Sequence, residues 1–142
     1  MKKLIALLLA VLMVVSLAAC GATTDATKDQ ADTNSDFKMG VILIGDENEG
    51  YTYAHIQGIK DAAKALGLAD DQIIWKYTIP EDETCYDTAA DLADQGCNLV
   101  VSNSYGHQSH MQQAATEFPE VTFIAMTGDT AKASGLPNFC NA

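Results

Sequence analysis

Lys38-Met39-Gly40-Val41-Ile42-Leu43-Ile44-Gly45-Asp46 decides the fold. The run from Lys38 to Ile44 is short, nearly continuous in apolar residues and rich in branched side chains, as in a strand covered on both faces; a strand with one wet face would alternate. The next stretch has another period. Ile59, Ala62, Ala63 and Leu66 recur at helical spacing, and Gly67 is a C-terminal stop. The pair then recurs: Gln72 to Tyr77 reads as a second strand, and Ala89, Leu92 and Ala93 mark a helix that begins near Glu81 or Asp82 and ends at Gly96. Asn98 to Ser102 is a third strand, followed by a helical stripe of Met111, Ala114, Ala115 and Phe118 before Pro119, and Val121 to Met126 is a fourth. Alternation at this spacing requires right-handed crossovers, which build a doubly wound α/β layer: a parallel sheet with helices on both faces. No side-chain motif repeats with the period, so the pattern is not that of a solenoid. After Thr127-Gly128 a turn-rich stretch leads through Pro137 to Asn138-Phe139-Cys140-Asn141-Ala142, with no further helix expected. The fourth strand would then lie at an uncovered edge, as in a fragment of a longer protein.

Upstream, Lys2-Lys3 precedes an apolar run from Leu4 to Val15, too short for a comfortable membrane span, and then Leu17-Ala18-Ala19-Cys20. That is the layout of a bacterial lipoprotein signal. Residues 1–19 are expected to be cleaved and Cys20 to carry acyl chains, placing the protein on the extracytoplasmic face of the cell membrane. ATP, NAD and the genome would be out of reach there. Residues 20–36 hold no large apolar side chain after the cysteine and read as a disordered tether. Residues 37–142 form the folded part.

The net charge of −11 becomes more negative once Lys2 and Lys3 are removed, and such a surface repels nucleic acid. No arginine is present, so there is no guanidinium fork to grip a phosphate or carboxylate. Cys85, Cys97 and Cys140 show no metal or redox spacing. Cys85 and Cys97 flank one helix, about 18 Å apart at ~1.5 Å per residue, which forbids a bridge between them. A bond from Cys140 to either is the alternative to three small buried thiols.

In an open α/β sheet, ligands bind beyond the carboxyl ends of the strands. Three loops qualify. Gly45 to Tyr53 is acidic and aromatic and lacks a GxGxxG turn; its carboxylates would repel a pyrophosphate. Asp46 suits ligand hydroxyl or N–H donors, and Tyr51 or Tyr53 offers a flat face; otherwise the acids serve the helix dipole and the tyrosines pad the core. Asp46-x-Asn48 is no calcium loop, since Gly50 holds the next ligand position. Asn103 to His107 gathers Asn103, Ser104 and Tyr105, neutral groups suited to a polyhydroxylated guest, with N-capping as the plain alternative. Thr127 to Asp129 is the third. His107 and His110 lie three apart, a metal-binding spacing without a third ligand, and read as a solvated face. No serine or cysteine is arranged with a base, so catalysis is not expected and no cofactor is called for. A flavodoxin-like or receiver-like enzyme would need a phosphate cradle after the first strand or an aspartate ending the third; Gly45-Asp46-Glu47 and Ser102-Asn103 stand there instead.

Taken with the lipoprotein signal and tether, Val41-Ile42-Leu43-Ile44-Gly45-Asp46, Gly50-Tyr51-Thr52-Tyr53-Ala54-His55-x-x-Gly58 and Phe118-Pro119-Glu120-Val121-Thr122-Phe123 with Thr127-Gly128 resemble the basic membrane protein family, the purine-nucleoside-receptor-like solute-binding lipoproteins of ABC importers. The likeness runs from about Phe37 to the last residue. It implies the first lobe of a type I periplasmic-binding-protein-like two-lobe fold, a purine nucleoside or base held between the lobes, and an ABC permease as partner. By the same resemblance Asp46 matches the acidic group after the first strand and Tyr51 the stacking aromatic. Asn103, Ser104 and Tyr105 match the loop after the third strand, and Asn141 lies where the family's chain continues toward a crossing segment. Tyrosine stands where many relatives carry phenylalanine or tryptophan. A ligand-sensing or signalling lipoprotein using the same lobe is the alternative function.

Overall fold

The computed structural model describes residues 36–142, so the expected signal, Cys20 and nearly all of the tether lie outside the described residues. Five parallel strands make one sheet: β1 (Met39–Ile42), β2 (Ile73–Lys76), β3 (Leu99–Ser102), β4 (Thr122–Ala125) and β5 (Phe139–Asn141), in the order β2-β1-β3-β4-β5. Between them run α1 (Gly50–Leu66), α2 (Glu83–Asp94), α3 (Gln108–Glu117) and the short α4 (Ala131–Ser134). The doubly wound parallel layer expected from the sequence is present.

The continuous apolar runs are explained by two cores, one on each face of the sheet. Met39, Val41 and Leu43 point to one side with Val101 and with Ile56 of α1. Ile42, Val100 and Phe123 point to the other, against Cys85, Ala89 and Leu92 of α2 and Met111, Ala114 and Ala115 of α3. Strand side chains alternate, so a strand buried on both faces must be apolar at every position. Gly67 ends α1 in the left-handed conformation (φ 71°), its N–H accepted by backbone carbonyls of the last turn, as a helix-terminating glycine does.

Several expectations need correction. First, α1 begins at Gly50, so Gly50 to Tyr53 belong to a helix and not to a loop. The start is set by Glu49, whose Oε1 accepts the Tyr51 N–H at 2.8 Å and whose Oε2 accepts the Thr52 N–H at 2.7 Å; that cap outweighs the poor helix propensity of Gly-Tyr-Thr-Tyr. Second, the chain does not end without further cover for β4: α4 follows it and β5 pairs along its edge. Asn138 holds the entry to β5, its Nδ2 donating to the carbonyls of Ala115, Phe118 and Val121 at 2.9, 3.1 and 2.9 Å, and Phe139 and Leu136 join the α2–α3 core. Third, His107 is fully buried rather than part of a solvated face. The three thiols are free; Cys85 and Cys97 are buried, but Cys140 is exposed. Cys85 lies inside the first turn of α2 rather than before it.

Candidate functional site

The chain steps from β1 outward to β2 and then back across β1 to β3, so the direction of winding reverses between β1 and β3. Connections leave this point on opposite faces, opening a crevice beyond the strand ends. The loops after β1 and β3 meet there. Asn103, fully buried directly after β3, accepts the Ile44 N–H on Oδ1 at 2.9 Å and donates from Nδ2 to Thr52 Oγ1 at 3.3 Å. One side chain thereby fastens the end of β1 and the first turn of α1.

The carbonyl of Asn103 takes two hydroxyl donors. Tyr51 donates its phenol to it, Thr127 donates at 3.1 Å, and the two hydroxyls lie 2.7 Å apart. Tyr51, Asn103 and Thr127, three of the residues singled out in the sequence, are thus joined, Tyr51 from the first turn of α1 and the other two from the loops after β3 and β4. Tyr51 stays 44% exposed, and the His55 ring packs against it at 4.5 Å with a 60° tilt. His55 Nδ1 lies 2.9 Å from the Tyr51 carbonyl and donates to it.

The other residues are placed differently. Asp46, half-buried, accepts the Asn48 N–H on Oδ1 at 2.9 Å, which folds the turn ahead of Glu49. Glu49, not Asp46, serves the helix start, and the Tyr51 and Thr52 N–H groups, Thr52 first, hold its carboxyl below the usual carboxylate range. Tyr53 is 49% exposed and lies two residues round α1 from Tyr51, on another face, so it does not join the cluster. Ser104 is buried with its hydroxyl on the Glu81 carboxylate. Tyr105 is 55% exposed, its hydroxyl reaching the Asp129 carboxylate at 3.2 Å. Gly128 sits under Gln108, whose Oε1 would lie 2.8 Å from an added Cβ, and under Asn141. Asn141 faces this loop from below: Oδ1 accepts the Ala131 N–H at 2.6 Å and Nδ2 donates to the Ala125 carbonyl at 3.3 Å.

Gln108, which the sequence reading missed, and His107, which it placed on a solvated face, do much of the positioning. Gln108 Oε1 accepts the N–H groups of Asp129 and Thr130 at 2.9 and 3.2 Å, and Gln108 is itself buried. His107 Nε2 donates to the Ile79 carbonyl at 3.0 Å, while Nδ1 is buried without a partner. Burial pushes the imidazole below its ordinary pKa, so the ring is neutral. The only sequence signal for these was polar residues at helical positions that the apolar stripe leaves unexplained.

The rim is an open face with carboxylates at Asp46, Glu47, Glu49, Glu81 and Asp129. An open groove of about 780 Å³ lined by Lys60, Leu68, Ile73 and Trp75 lies at the other end of the sheet, by the start of β2, and takes no part in the rim. Among the described residues no three His, Cys, Asp or Glu side chains cluster as a metal site. The arrangement provides an anchored aromatic ring, hydrogen-bonding groups around it, and negative potential.

No protein-family model matches the sequence. Over 101 residues the chain is 29% identical to a purine-binding protein of Brucella abortus (strain 2308), covering 69% of this chain and 28% of that protein. Among solved structures, an ABC transporter system solute-binding protein from Conexibacter woesei DSM 14684 superposes with a TM-score of 0.62 at 25% identity, over 74% of this chain and 34% of that one. The likeness to the basic membrane protein family holds. A transcriptional activator of the comK gene from Bacillus halodurans, with a TM-score of 0.55 at 15% identity over 65% of this chain and 30% of its own, shares the fold alone. The chain spans roughly a third of each relative's length: 28% of the first, 34% of the second and 30% of the third. Its parallel sheet is that of a periplasmic-binding-protein-like lobe.

Proposed function

We propose that this chain is the first lobe of an extracytoplasmic solute-binding lipoprotein that captures a purine nucleoside or nucleobase and delivers it to an ABC permease. The observation that carries the reading is the Tyr51 ring, anchored through its hydroxyl to Asn103 and Thr127 at the β1–β3 crevice. A flat ring held by one edge keeps a face free for a heteroaromatic guest. Asp46 and the exposed Tyr105, carried by the Asn103-Ser104-Tyr105 segment, accept from its amino and hydroxyl donors, while Gly128 keeps the third loop low. The negative rim suits an uncharged guest and disfavours phosphate. Similarity to a purine-binding protein supports the ligand class. Cys20, lipidated, would hold the lobe at the membrane, and closure against a second lobe would complete the enclosure that one open face lacks.

The test is an NMR titration of the chain from Cys20 onward with adenosine, guanosine, inosine and hypoxanthine, which detects the weak binding expected of one lobe. Shift changes should centre on Tyr51, Asn103, Tyr105 and Thr127 and disappear in Tyr51→Ala. Saturable shifts centred on another surface, or none with any of the four, refute the assignment. Labelling with radioactive palmitate in a bacterial host, lost in Cys20→Ala, tests the anchor.

A further inference from the structure

We propose that Glu81, on the connection between β2 and α2, is a positioning residue that sets Tyr105 at the ligand rim. The connection is itself secured before it reaches Glu81. The Thr78 N–H donates to the Gly45 carbonyl at 3.1 Å and the Ile79 N–H to the Leu43 carbonyl at 2.9 Å, while the Ile79 carbonyl takes the His107 imidazole. From that support the Glu81 side chain crosses to the loop after β3, where a single oxygen, Oε1, accepts both the Ser104 hydroxyl and the Gly106 N–H, the latter at 2.9 Å.

The residue between those two donors is Tyr105. With its neighbours on both sides drawn to one acceptor, the turn tightens around the carboxylate and the tyrosine projects outward, 55% exposed, to meet Asp129 of the loop after β4. A second observation is steric. A Cβ at position 106 would lie 2.6 Å from Glu81 Oε1, so the turn presses directly on the carboxyl and a larger residue there would displace the Glu81 side chain. The Ser104 hydroxyl, then the Gly106 N–H, hold the Glu81 carboxyl below the ordinary carboxylate range, which keeps it an acceptor-only group near neutrality. Glu81 therefore acts on a ligand through Ser104 and Gly106, and the Ser104 hydroxyl is committed to Glu81. The consequence for ligand affinity rests on the function proposed above; the fixing of the turn does not.

Three variants separate the possibilities. Glu81→Ala removes the acceptor, Glu81→Gln keeps an oxygen able to receive the Gly106 N–H, and Gly106→Ala displaces the carboxyl while leaving Glu81 in the chain. Each is measured for amide exchange at Gly106, for Tyr105 ring-proton shifts, for adenosine, guanosine and inosine affinity, and for the urea midpoint. In Glu81→Ala, Gly106 exchange should rise at least tenfold, the Tyr105 shifts should move, and affinity should fall at least fivefold with the urea midpoint nearly unchanged. Glu81→Gln should recover most of both losses, and Gly106→Ala should reproduce them. A Glu81→Ala chain whose Gly106 exchange and Tyr105 shifts match the parent overturns the proposal, as does a freed turn with nucleoside affinity within twofold. If none of the nucleosides binds the parent chain, the proposed function fails while the exchange and ring shifts still decide whether Glu81 sets Tyr105.

Discussion

Truncating Asn103 to alanine tests the scaffold beneath the rim with a magnitude that can be worked out. The side chain is fully buried and makes two bonds, one to the Ile44 N–H at 2.9 Å and one to Thr52 Oγ1 at 3.3 Å. Alanine leaves both groups without these partners. A buried polar group stripped of its partner costs about 1–3 kcal/mol; Ile44 is half-buried, which puts its N–H in the lower part of that range, and the long bond to Thr52 contributes less than a short one. Adding the packing lost with the amide gives a destabilisation of about 2–4 kcal/mol, a large share of the 5–15 kcal/mol typical of a whole domain. Thr52→Val, which removes only the weaker bond, should cost about 1 kcal/mol, and the double mutant should show a coupling of roughly 0.5–1 kcal/mol. The assay is urea unfolding with amide exchange at Ile44. The backbone carbonyl that receives Tyr51 and Thr127 survives the substitution, so the effect belongs to the side chain. A loss under about 1 kcal/mol for Asn103→Ala, or an Ile44 amide as protected as before, would show that Asn103 does not hold the strand ends.

Three further outcomes are expected from the same geometry. His107 has a folded pKa below its ordinary value because of burial, so the unfolded chain takes up the proton first; its share of stability is complete above about pH 6.5 and is lost as pH falls from there toward the folded value. Comparing urea midpoints of the parent and His107→Gln from pH 7 to pH 5 should show the parent falling more steeply just below 6.5, and parallel curves would contradict this. Tyr51→Phe keeps the ring but loses the hydroxyl bonds to Asn103 and Thr127; it should destabilise by about 1 kcal/mol and broaden the Thr127 resonances, whereas unchanged Thr127 signals would deny the link. In a chain beginning after Cys20, a thiol reagent such as DTNB should modify Cys140 quickly and Cys85 and Cys97 only on unfolding, since the latter two are buried and burial drives the Cys85 thiol up to about 12; two or more fast thiols in the folded chain would disprove it.

The sheet was legible because its first strand obeys one rule from end to end. Met39 to Leu43 are apolar at successive positions since both faces of β1 are covered, and that condition is written directly in the run. The short elements were not legible. α4 spans Ala131–Ser134 and β5 only Phe139–Asn141, too few residues for a period to register, and the bonds from Asn138 to three carbonyls that seat β5 are long-range facts with no local signature. His107 was misplaced for a related reason: spacing shows which residues share a helix face but not that a carbonyl on the connection after β2 waits for the ring. The rule of strand ends found the right three loops. It did not separate Tyr51, tied to Asn103 and Thr127, from Tyr53, turned to solvent, because the start of α1 depends on Glu49 and decides which tyrosine faces the crevice.

Every rim loop is held from behind by a side chain that leaves the exposed face free. Asn103 ties the end of β1, Glu81 ties the turn around Tyr105, Gln108 ties Asp129 and Thr130, and Asn141 ties the start of α4. All four accept backbone N–H groups that lie beyond a strand end, in a turn or at a helix start, and buried N–H groups must be satisfied somewhere. The same bonds that settle this requirement fix the loops before any ligand arrives. A pre-ordered rim costs a ligand little in loop entropy, so the lobe's share of affinity depends on a small number of anchored groups, Tyr51 first among them. Removing a tie should therefore weaken binding through the exposed residue it supports, and each tie should act on its own loop: Gln108→Met should free the Asp129 and Thr130 amides to exchange while leaving that of Gly106 protected, and the loss of Glu81 should do the reverse.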